Sequence, residues 1–292
     1  MNAAVPGHAA SERNPLARDQ AATEPLLRVS NLSLEYRTPH RVVRATHDVS
    51  FEVDQADRFV LLGPSGCGKS SLLKAIGGFI QPTQGEVCLA GRSVTQPGPD
   101  RMMVFQEFDQ LPAWKTVLEN VMFPLLASHR LKRAAAKARA FEYLEKVGLS
   151  NFADAYPHTL SGGMKARVAI ARALAMQPKV LLMDEPFAAL DALTRRKMQE
   201  ELLVLWKEVR FTLVFVTHSI EEALVVGNRI LLLSPHPGRV RAEVHSHHYG
   251  LSSLGSEGFQ ASAQRIHRLL FDQDAHTAPE PPTAFNHVRI AY

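Results

Sequence analysis

The chain has 292 residues, of which 46% are hydrophobic and 21% are charged, and its formal net charge is +4 at pH 7. This is an ordinary globular composition, and the length suffices for one large domain or two small ones. The charge is too small to indicate a nucleic-acid partner, and no apolar run approaches the ~18 residues that a membrane-spanning helix needs. The two cysteines, Cys67 and Cys88, indicate no disulfide framework and fit a reducing compartment.

Both ends of the chain are predicted to lack order. Residues 1–25 are rich in Ala, Pro, Asn, Arg and Glu without a continuous apolar core, which indicates a disordered lead rather than a secretory signal. Residues 246–292 turn polar and include three prolines, so we expect a poorly ordered tail. The region between them, residues 26–245, is predicted to form one domain.

The first part of this domain is predicted to be β-structure, because it carries short alternating or continuously apolar segments. These segments are residues 26–36, 49–53, 59–62, 86–90 and 101–105. From about residue 107 to 177 the apolar spacing becomes helical. The helices predicted there cover residues 117–126, 131–147 and a segment that begins after Ser161.

Strand and helix patterns alternate in the second part of the domain. Strands are predicted at residues 179–183, 212–216 and 229–233, and helices at 194–209 and 219–226. Such alternation indicates a mainly parallel sheet with crossover helices. The sequence therefore predicts an α/β core that is interrupted by a helical insertion at about 107–177.

A glycine-rich loop follows the apolar run 59–62 and opens a helix. Its residues are Gly63, Pro64, Ser65, Gly66, Cys67, Gly68, Lys69 and Ser70, and Ser71 continues the helix. The spacing matches G-x-x-x-x-G-K-[ST] in a strand–loop–helix context, where backbone N–H groups and the helix N-terminus face a polyphosphate. We therefore predict a nucleoside triphosphate site in which Lys69 reaches the β- and γ-phosphates and Ser70 supplies an oxygen to Mg²⁺.

Two acidic residues, Asp184 and Glu185, directly follow the apolar strand at 179–183. A carboxylate at the carboxyl end of a parallel strand, beside a phosphate-binding loop, is where Mg²⁺ is held. Asp184 fits this metal role. Glu185 is predicted to act as the general base, or to polarise the attacking water.

A second helix start is rich in glycine, and we call Leu160–Met164 the signature segment. Ser161 is a good N-cap, and Gly162 and Gly163 leave backbone N–H groups accessible to an anion. Together with the phosphate-binding loop before it and the acidic pair after it, this segment resembles the LSGGQ signature of the ATP-binding cassette (ABC) ATPases. The resemblance covers residues 26–240.

The resemblance implies a P-loop ABC cassette with a mainly parallel sheet, an antiparallel β subdomain and a helical subdomain at about 107–177. It also implies roles for four further residues. Gln106 resembles the Q-loop glutamine, which contacts Mg²⁺ and senses a transmembrane partner. Asp191 falls in the D-loop, His218 resembles the switch histidine that contacts the γ-phosphate, and Tyr36 resembles the aromatic residue that stacks on adenine.

In this family two copies pack head-to-tail around two ATP molecules. Ser161 and Gly163 of a second copy would then cover the γ-phosphate that the phosphate-binding loop leaves open. Binding would close the dimer and hydrolysis would reopen it.

Three stretches resemble the nitrate, sulfonate and taurine import group of this family. They are Val104–Glu107 with Leu111–Trp114, the signature Met164, and Leu233–Arg239. The resemblance implies an ATPase at the cytoplasmic face of the membrane that energises uptake of a small anion through a separate permease, which an external solute-binding protein supplies. A soluble regulatory ABC ATPase and an exporting or lipid-handling ABC ATPase stay open as alternatives.

Overall fold

The computed structural model describes residues 24–38, 41–106, 110–246, 249–271 and 289–290. The strands are β1 (Leu27–Thr38), β2 (Arg41–Val53), β3 (Arg58–Leu62), β4 (Gln84–Leu89), β5 (Arg92–Ser93), β6 (Arg101–Val104), β7 (Val180–Asp184), β8 (Thr212–Thr217), β9 (Arg229–Leu233), β10 (Val240–His245) and β11 (Arg289–Ile290). The helices are α1 (Lys69–Ile76), α2 (Val117–Ala127), α3 (Arg133–Lys146), α4 (Gly162–Ala175), α5 (Ala192–Val209), α6 (Ile220–Val226) and α7 (Glu257–Phe271). Most of the predicted N-terminal lead lies outside the described residues.

A seven-stranded sheet in the order β11-β10-β9-β3-β8-β7-β6 forms the centre of the fold. Neighbouring strands from β9 through β6 are parallel, whereas β10 runs antiparallel to β9. Both faces of the sheet are covered, which explains the continuous apolar runs. In β3, Val60 and Leu62 join the core beneath the helices, while Phe59 and Leu61 join the core beneath a second sheet.

The second sheet has four strands in the order β2-β1-β4-β5, and all its pairs are antiparallel. It packs on the central sheet through apolar side chains. Phe51 of β2 stacks on Phe59 of β3 with ring centroids 5.0 Å apart. This contact fixes the second sheet beside the strand that leads into the phosphate-binding loop.

Helices α2, α3 and α4 pack against one another and form the predicted helical subdomain. The start of α2 is fixed by a reciprocal cap, in which Thr116 Oγ1 accepts from the Glu119 N–H and Glu119 accepts from the Thr116 N–H. The predicted mainly parallel sheet, the antiparallel β subdomain and the helical subdomain are all present. Within the described residues, no helix combines the length and apolar character that crossing a bilayer requires.

The prediction of a poorly ordered tail is wrong for residues 257–271, which form α7. Phe259, Ile266 and Leu270 are at most 3% exposed, and the helix packs against α6, β9 and β10. The prediction rested on the polar composition of the tail and did not take into account that its apolar residues have helical spacing. Residues 272–288, including the three prolines, lie outside the described residues.

Candidate functional site

The carboxyl ends of adjacent parallel strands bring several of the predicted site residues to one edge of the central sheet. The phosphate-binding loop follows β3, Glu185 follows β7 and His218 follows β8. Gln106 is exposed, two residues beyond β6. Since β6, β7, β8 and β3 are successive neighbours, these residues of distant sequence position share a single edge.

The phosphate-binding loop has a backbone shape that requires glycine. Gly66 and Gly68 have φ values of 79° and 93°, in the left-handed region that side chains disfavour. A Cβ added to Gly68 would lie 2.6 Å from the carbonyl oxygen of Ala45. The two glycines therefore allow the tight curl and its close approach to β2.

Lys69 is the cation of this loop and is 5% exposed. Its Nζ donates to the carbonyl oxygens of Gly63 at 2.8 Å and Pro64 at 3.0 Å, so the side chain folds back across the loop. The neighbouring Cys67 is fully buried, and burial raises the pKa of its thiol. Cys67 thus contributes backbone to the loop and an apolar side chain to the core.

Ser70 and Asp184 place two oxygen atoms side by side next to the loop. Ser70 Oγ donates to Asp184 Oδ1 at 2.9 Å. Burial raises the pKa of the Asp184 carboxyl, and the Ser70 hydrogen bond opposes this effect. A hydroxyl and a buried carboxylate are hard oxygen donors, which is the donor set that suits Mg²⁺.

Glu185 and His218 form a second polar pair at the same edge. His218 Nδ1 lies 3.0 Å from Glu185 Oε2. With Nδ1 as the protonated ring nitrogen, His218 is the donor and the carboxylate is the acceptor. Glu185 has a φ of 44°, unusual for a side chain of this size, and its N–H donates to Val216 O at 3.1 Å. The carboxylate is therefore turned out of the strand direction toward the histidine.

A cleft of about 340 Å³ lies over the phosphate-binding loop. The residues that line it are Tyr36, Val43, Ala45, Ser65, Gly66, Gly68, Lys69, Ser70, Ser71, Glu185 and His236. Tyr36 is 43% exposed, and its hydroxyl donates to Ser71 Oγ at 2.8 Å. The ring of the predicted adenine-stacking residue thus stands beside the first turn of α1.

The signature segment lies elsewhere, and the lining of this cleft does not include it. Ser161 is exposed and caps α4, accepting from the Met164 N–H at 3.3 Å. A Cβ added to Gly163 would lie 3.1 Å from Thr194 Cγ2 of α5. The structure therefore brings the signature segment to the start of α5.

Asp191 is the N-cap of that same helix. Its carboxylate accepts from the N–H groups of Leu193 and Thr194 at 3.1 and 3.0 Å. Hydrogen bonding from Thr194 lowers the pKa of the Asp191 carboxyl. Asp191 and the signature segment thus meet at Thr194, whereas neither lines the cleft of its own chain.

The sequence prediction missed three residues that line the cleft, Val43, Ala45 and His236. Val43 and Ala45 lie in β2, and Val43 pairs with Tyr36 across the β1–β2 ladder. His236 follows β9, which neighbours β3 in the sheet. The strand order supplies this information, because the loop after β9 must emerge beside the loop after β3.

A buried network beneath His218 was also missed. Glu222 in α6 is 8% exposed, and its carboxylate accepts hydrogen bonds from Thr217 Oγ1 and from Gln199 Nε2, the latter at 3.0 Å. Thr217 directly precedes His218, and Gln199 belongs to α5. The network therefore links the α5 helix to the segment that carries the histidine.

Comparison with known proteins gives the family. A sequence profile described as "ABC transporter" matches residues 46–188. A taurine import ATP-binding protein of Rhizobium johnstonii is 50% identical over 74% of this chain and 82% of its own length. A nitrate import ATP-binding protein of Synechococcus elongatus is 44% identical over 72% of this chain and 76% of its own length.

A solved structure shows the same fold. It is the dimeric post-hydrolysis state of an ATP-binding cassette bound to ADP and Pi, which is 34% identical to this chain with a TM-score of 0.66. The match covers 76% of this chain and 100% of the solved one. The predicted family resemblance is confirmed, and the chain belongs to the ABC transporter family of ATP-binding proteins.

Proposed function

We propose that this chain hydrolyses ATP and thereby energises uptake of a small anion through a separate membrane permease. The observation that carries the proposal is the Glu185–His218 pair, 3.0 Å apart and beside the phosphate-binding loop. A phosphate cradle supplies binding, whereas an adjacent carboxylate and imidazole supply the groups that hydrolysis needs.

The chain's own residues bind the nucleotide in defined places. The phosphate-binding loop and the start of α1 direct N–H groups at the phosphates, and Lys69 exchanges its two carbonyl partners for phosphate oxygens. Tyr36 offers its ring to the base. This arrangement orients the γ-phosphate toward the edge where Glu185 lies.

Ser70 and Asp184, with Gln106 at the same edge, would hold Mg²⁺. The metal, when bound, neutralises charge on the phosphate oxygens. Asp184 must be ionised to serve as ligand. Ser70 then keeps its position through the Asp184 contact that the structure already has.

Glu185 orients the water that attacks the γ-phosphorus and takes up its proton at a carboxylate oxygen. The P–O bond to the ADP leaving group breaks as the new bond forms. His218 donates to Glu185 and holds this carboxylate in place. The pair therefore works as an orienting unit at the end of the cleft.

A complete site requires a second copy. Ser161 is exposed, and the signature segment is outside the cleft of its own chain. In a head-to-tail dimer, Ser161 and Gly163 of one copy would cover the γ-phosphate held by the other. Two solved cassettes of this fold are dimers, which supports this arrangement.

Import is supported by the curated relatives. Taurine, nitrate and bicarbonate import or transport ATP-binding proteins match this chain at 43–50% identity. All three solutes are small and carry an anionic group. We propose that the chain is a peripheral subunit at the cytoplasmic face of the membrane, served by an external solute-binding protein.

Exchange of Glu185 for Gln tests the hydrolytic function. The variant keeps the shape of the side chain and removes the proton acceptor, so turnover should fall at least about a hundredfold while ATP binding persists. Glu200 of α5 is exposed and outside the cleft, so Glu200→Gln is the matched control. Normal turnover by Glu185→Gln would contradict the assignment.

Affinity purification of the full chain from detergent-extracted membranes tests the transport function. Recovery of a multispan membrane protein together with the chain, and ATP-dependent uptake by the reconstituted complex, are the expected results. Recovery of ribosomal or DNA-bound partners instead would favour a regulatory ATPase and contradict the proposal.

A further inference from the structure

The loop Ser234–Arg239, which we call the β9 loop, has no role in the site as described so far. Its sequence belongs to a stretch that resembles the anion-import group, and it lies far along the chain from the phosphate-binding loop. The structure places it after β9, the direct neighbour of β3. One of its residues, His236, lines the nucleotide cleft.

The β9 loop is anchored to the elements that build this cleft. Gly238 N donates to the carbonyl oxygen of Ala45 at 2.9 Å, and His47 N donates to the carbonyl oxygen of Gly238 at 2.9 Å. A Cβ added to Gly238 would lie 2.1 Å from the carbonyl oxygen of Cys67. The loop therefore rests directly on β2 and on the phosphate-binding loop.

The β9 loop is also closed on itself. Ser234 Oγ accepts from the Arg239 N–H at 3.0 Å and lies 3.0 Å from the carbonyl oxygen of Pro237. Pro235 and Pro237 flank His236 and restrict the backbone on both sides. His236 is thus presented by a rigid support, so little backbone entropy is lost when it contacts a ligand.

The position of His236 favours the nucleoside end of the cleft. The loop is anchored at Ala45, two residues from Val43, which pairs with Tyr36 in the β1–β2 ladder. The phosphate end is formed by the loop N–H groups and Lys69, on the α1 side. His236 therefore lines the same cleft as Tyr36, in a loop that is anchored through Gly238 to β2, the strand that pairs with β1.

We propose that His236 binds the nucleoside part of the nucleotide, through a hydrogen bond from its exposed imidazole to the ribose or the base. This inference rests on the proposed ATP site. It gives the β9 loop a function in nucleotide affinity, although the loop shares no sequence motif with the phosphate-binding residues.

Equilibrium binding to the full chain tests the proposal, with Mg²⁺-ATP and inorganic tripolyphosphate as the two probes. Loss of one hydrogen bond should weaken ATP binding by His236→Ala about fivefold. Tripolyphosphate, which has no nucleoside, should bind this variant and the wild type equally. His129 is exposed and outside the cleft, so His129→Ala is the control and should bind both probes normally.

Three outcomes would overturn parts of this picture, and they are distinguishable. Unchanged ATP affinity in His236→Ala would show that His236 makes no contact. An equal loss for ATP and tripolyphosphate would place His236 at the phosphates and overturn the nucleoside assignment. Failure of the wild-type chain to bind ATP would instead overturn the proposed function.

Discussion

Two helices of this chain begin at a glycine-rich segment, α1 after the phosphate-binding loop and α4 at the signature segment, and their surroundings differ. The start of α1 is enclosed by its own chain, since Gly68 contacts β2 and Lys69 is 5% exposed. The start of α4 carries an exposed Ser161 and contacts α5 through Gly163. The phosphate-binding loop with the start of α1 is therefore enclosed by its own chain, and we call it the enclosed half of the site. The start of α4 lies at the surface with Ser161 exposed, and we call it the exposed half.

This difference indicates which part of the site a single chain forms by itself. Lys69 and Ser70 line one cleft of the single chain, and Asp184 contacts Ser70 there. The N–H groups at the start of α4 have the same capacity for an anion, but this segment does not line that cleft. Binding of nucleotide should therefore depend on α1, and hydrolysis should depend on both helices.

The largest expected effect comes from damage to the enclosed half. Lys69→Ala removes the cation of the phosphate-binding loop, so kcat/KM for ATP should fall at least about a hundredfold. Lys207 of α5 is exposed and lies outside the cleft, which makes Lys207→Ala the matched control. Equal losses in the two variants would show that general charge, rather than the placement of Lys69, sustains activity.

A substitution in the exposed half should lower turnover, and mixing this variant with one altered in the enclosed half should restore part of it. Ser161→Ala should lower turnover about tenfold while leaving ATP binding by the isolated chain unchanged. A mixed dimer of Lys69→Ala and Ser161→Ala contains one site with both lesions and one intact site, because each site combines two chains. The mixture should therefore hydrolyse ATP faster than the sum of the separate variants.

The absence of such complementation would contradict the composite site. Ser161→Ala also removes a helix cap, which costs about 1 kcal/mol of stability. Thermal unfolding of the variant therefore serves as the control, together with Thr159→Ala in the turn that precedes α4.

The same comparison separates what sequence could predict from what it could not. The phosphate-binding loop and the acidic pair after a strand are local patterns, so the sequence predicts Lys69, Asp184 and Glu185 as one site, and the structure brings them to one edge. His236 was missed because its position depends on β9 lying beside β3, which is a property of the strand order. Such an order arises from tertiary packing and leaves no short motif.

Two further features that the sequence analysis did not predict, helix α7 and the Glu222 network, have similar causes. The apolar face of α7 is spread over fifteen residues of mainly polar sequence, so composition outweighed the helical spacing of Phe259, Ile266 and Leu270. The Glu222 network joins α5 and α6, and its members look like ordinary surface residues in the sequence. Burial of a carboxylate is visible only once the helices are packed.

Turnover should also be sensitive to substitutions in the buried Glu222 network, which adjoins His218. Glu222→Gln replaces one of the two acceptor oxygens by an N–H₂ group, which faces either Thr217 or Gln199, so one buried donor loses its acceptor. This should cost about 1–3 kcal/mol of folding free energy and lower turnover several-fold. Exposed Glu221 provides the control, and Glu221→Gln should alter neither quantity.

Thr217→Ser keeps the hydroxyl and should retain most of the turnover, whereas Thr217→Val removes it and should resemble Glu222→Gln. Chemical denaturation and ATPase assays on the same preparations measure both effects. If Glu222→Gln lost stability while keeping full turnover, the network would support the fold alone and would not position His218.

The smallest expected effect concerns the cost of keeping the metal-site carboxylate buried. Burial raises the pKa of Asp184 in the folded chain, so its ionised form is less favourable there than in the unfolded chain. The sign follows from linkage: the folded state binds this proton more tightly, so stability is lost as pH rises from the unfolded pKa through the raised folded one. At neutral pH without nucleotide, Asp184→Asn should therefore stabilise the chain by on the order of 1 kcal/mol, and this gain should shrink as the pH falls toward the unfolded pKa. Urea unfolding at several pH values measures this change in stability. Asp154→Asn, at an exposed position, is the control. A destabilised Asp184→Asn would show that the Ser70 contact outweighs burial.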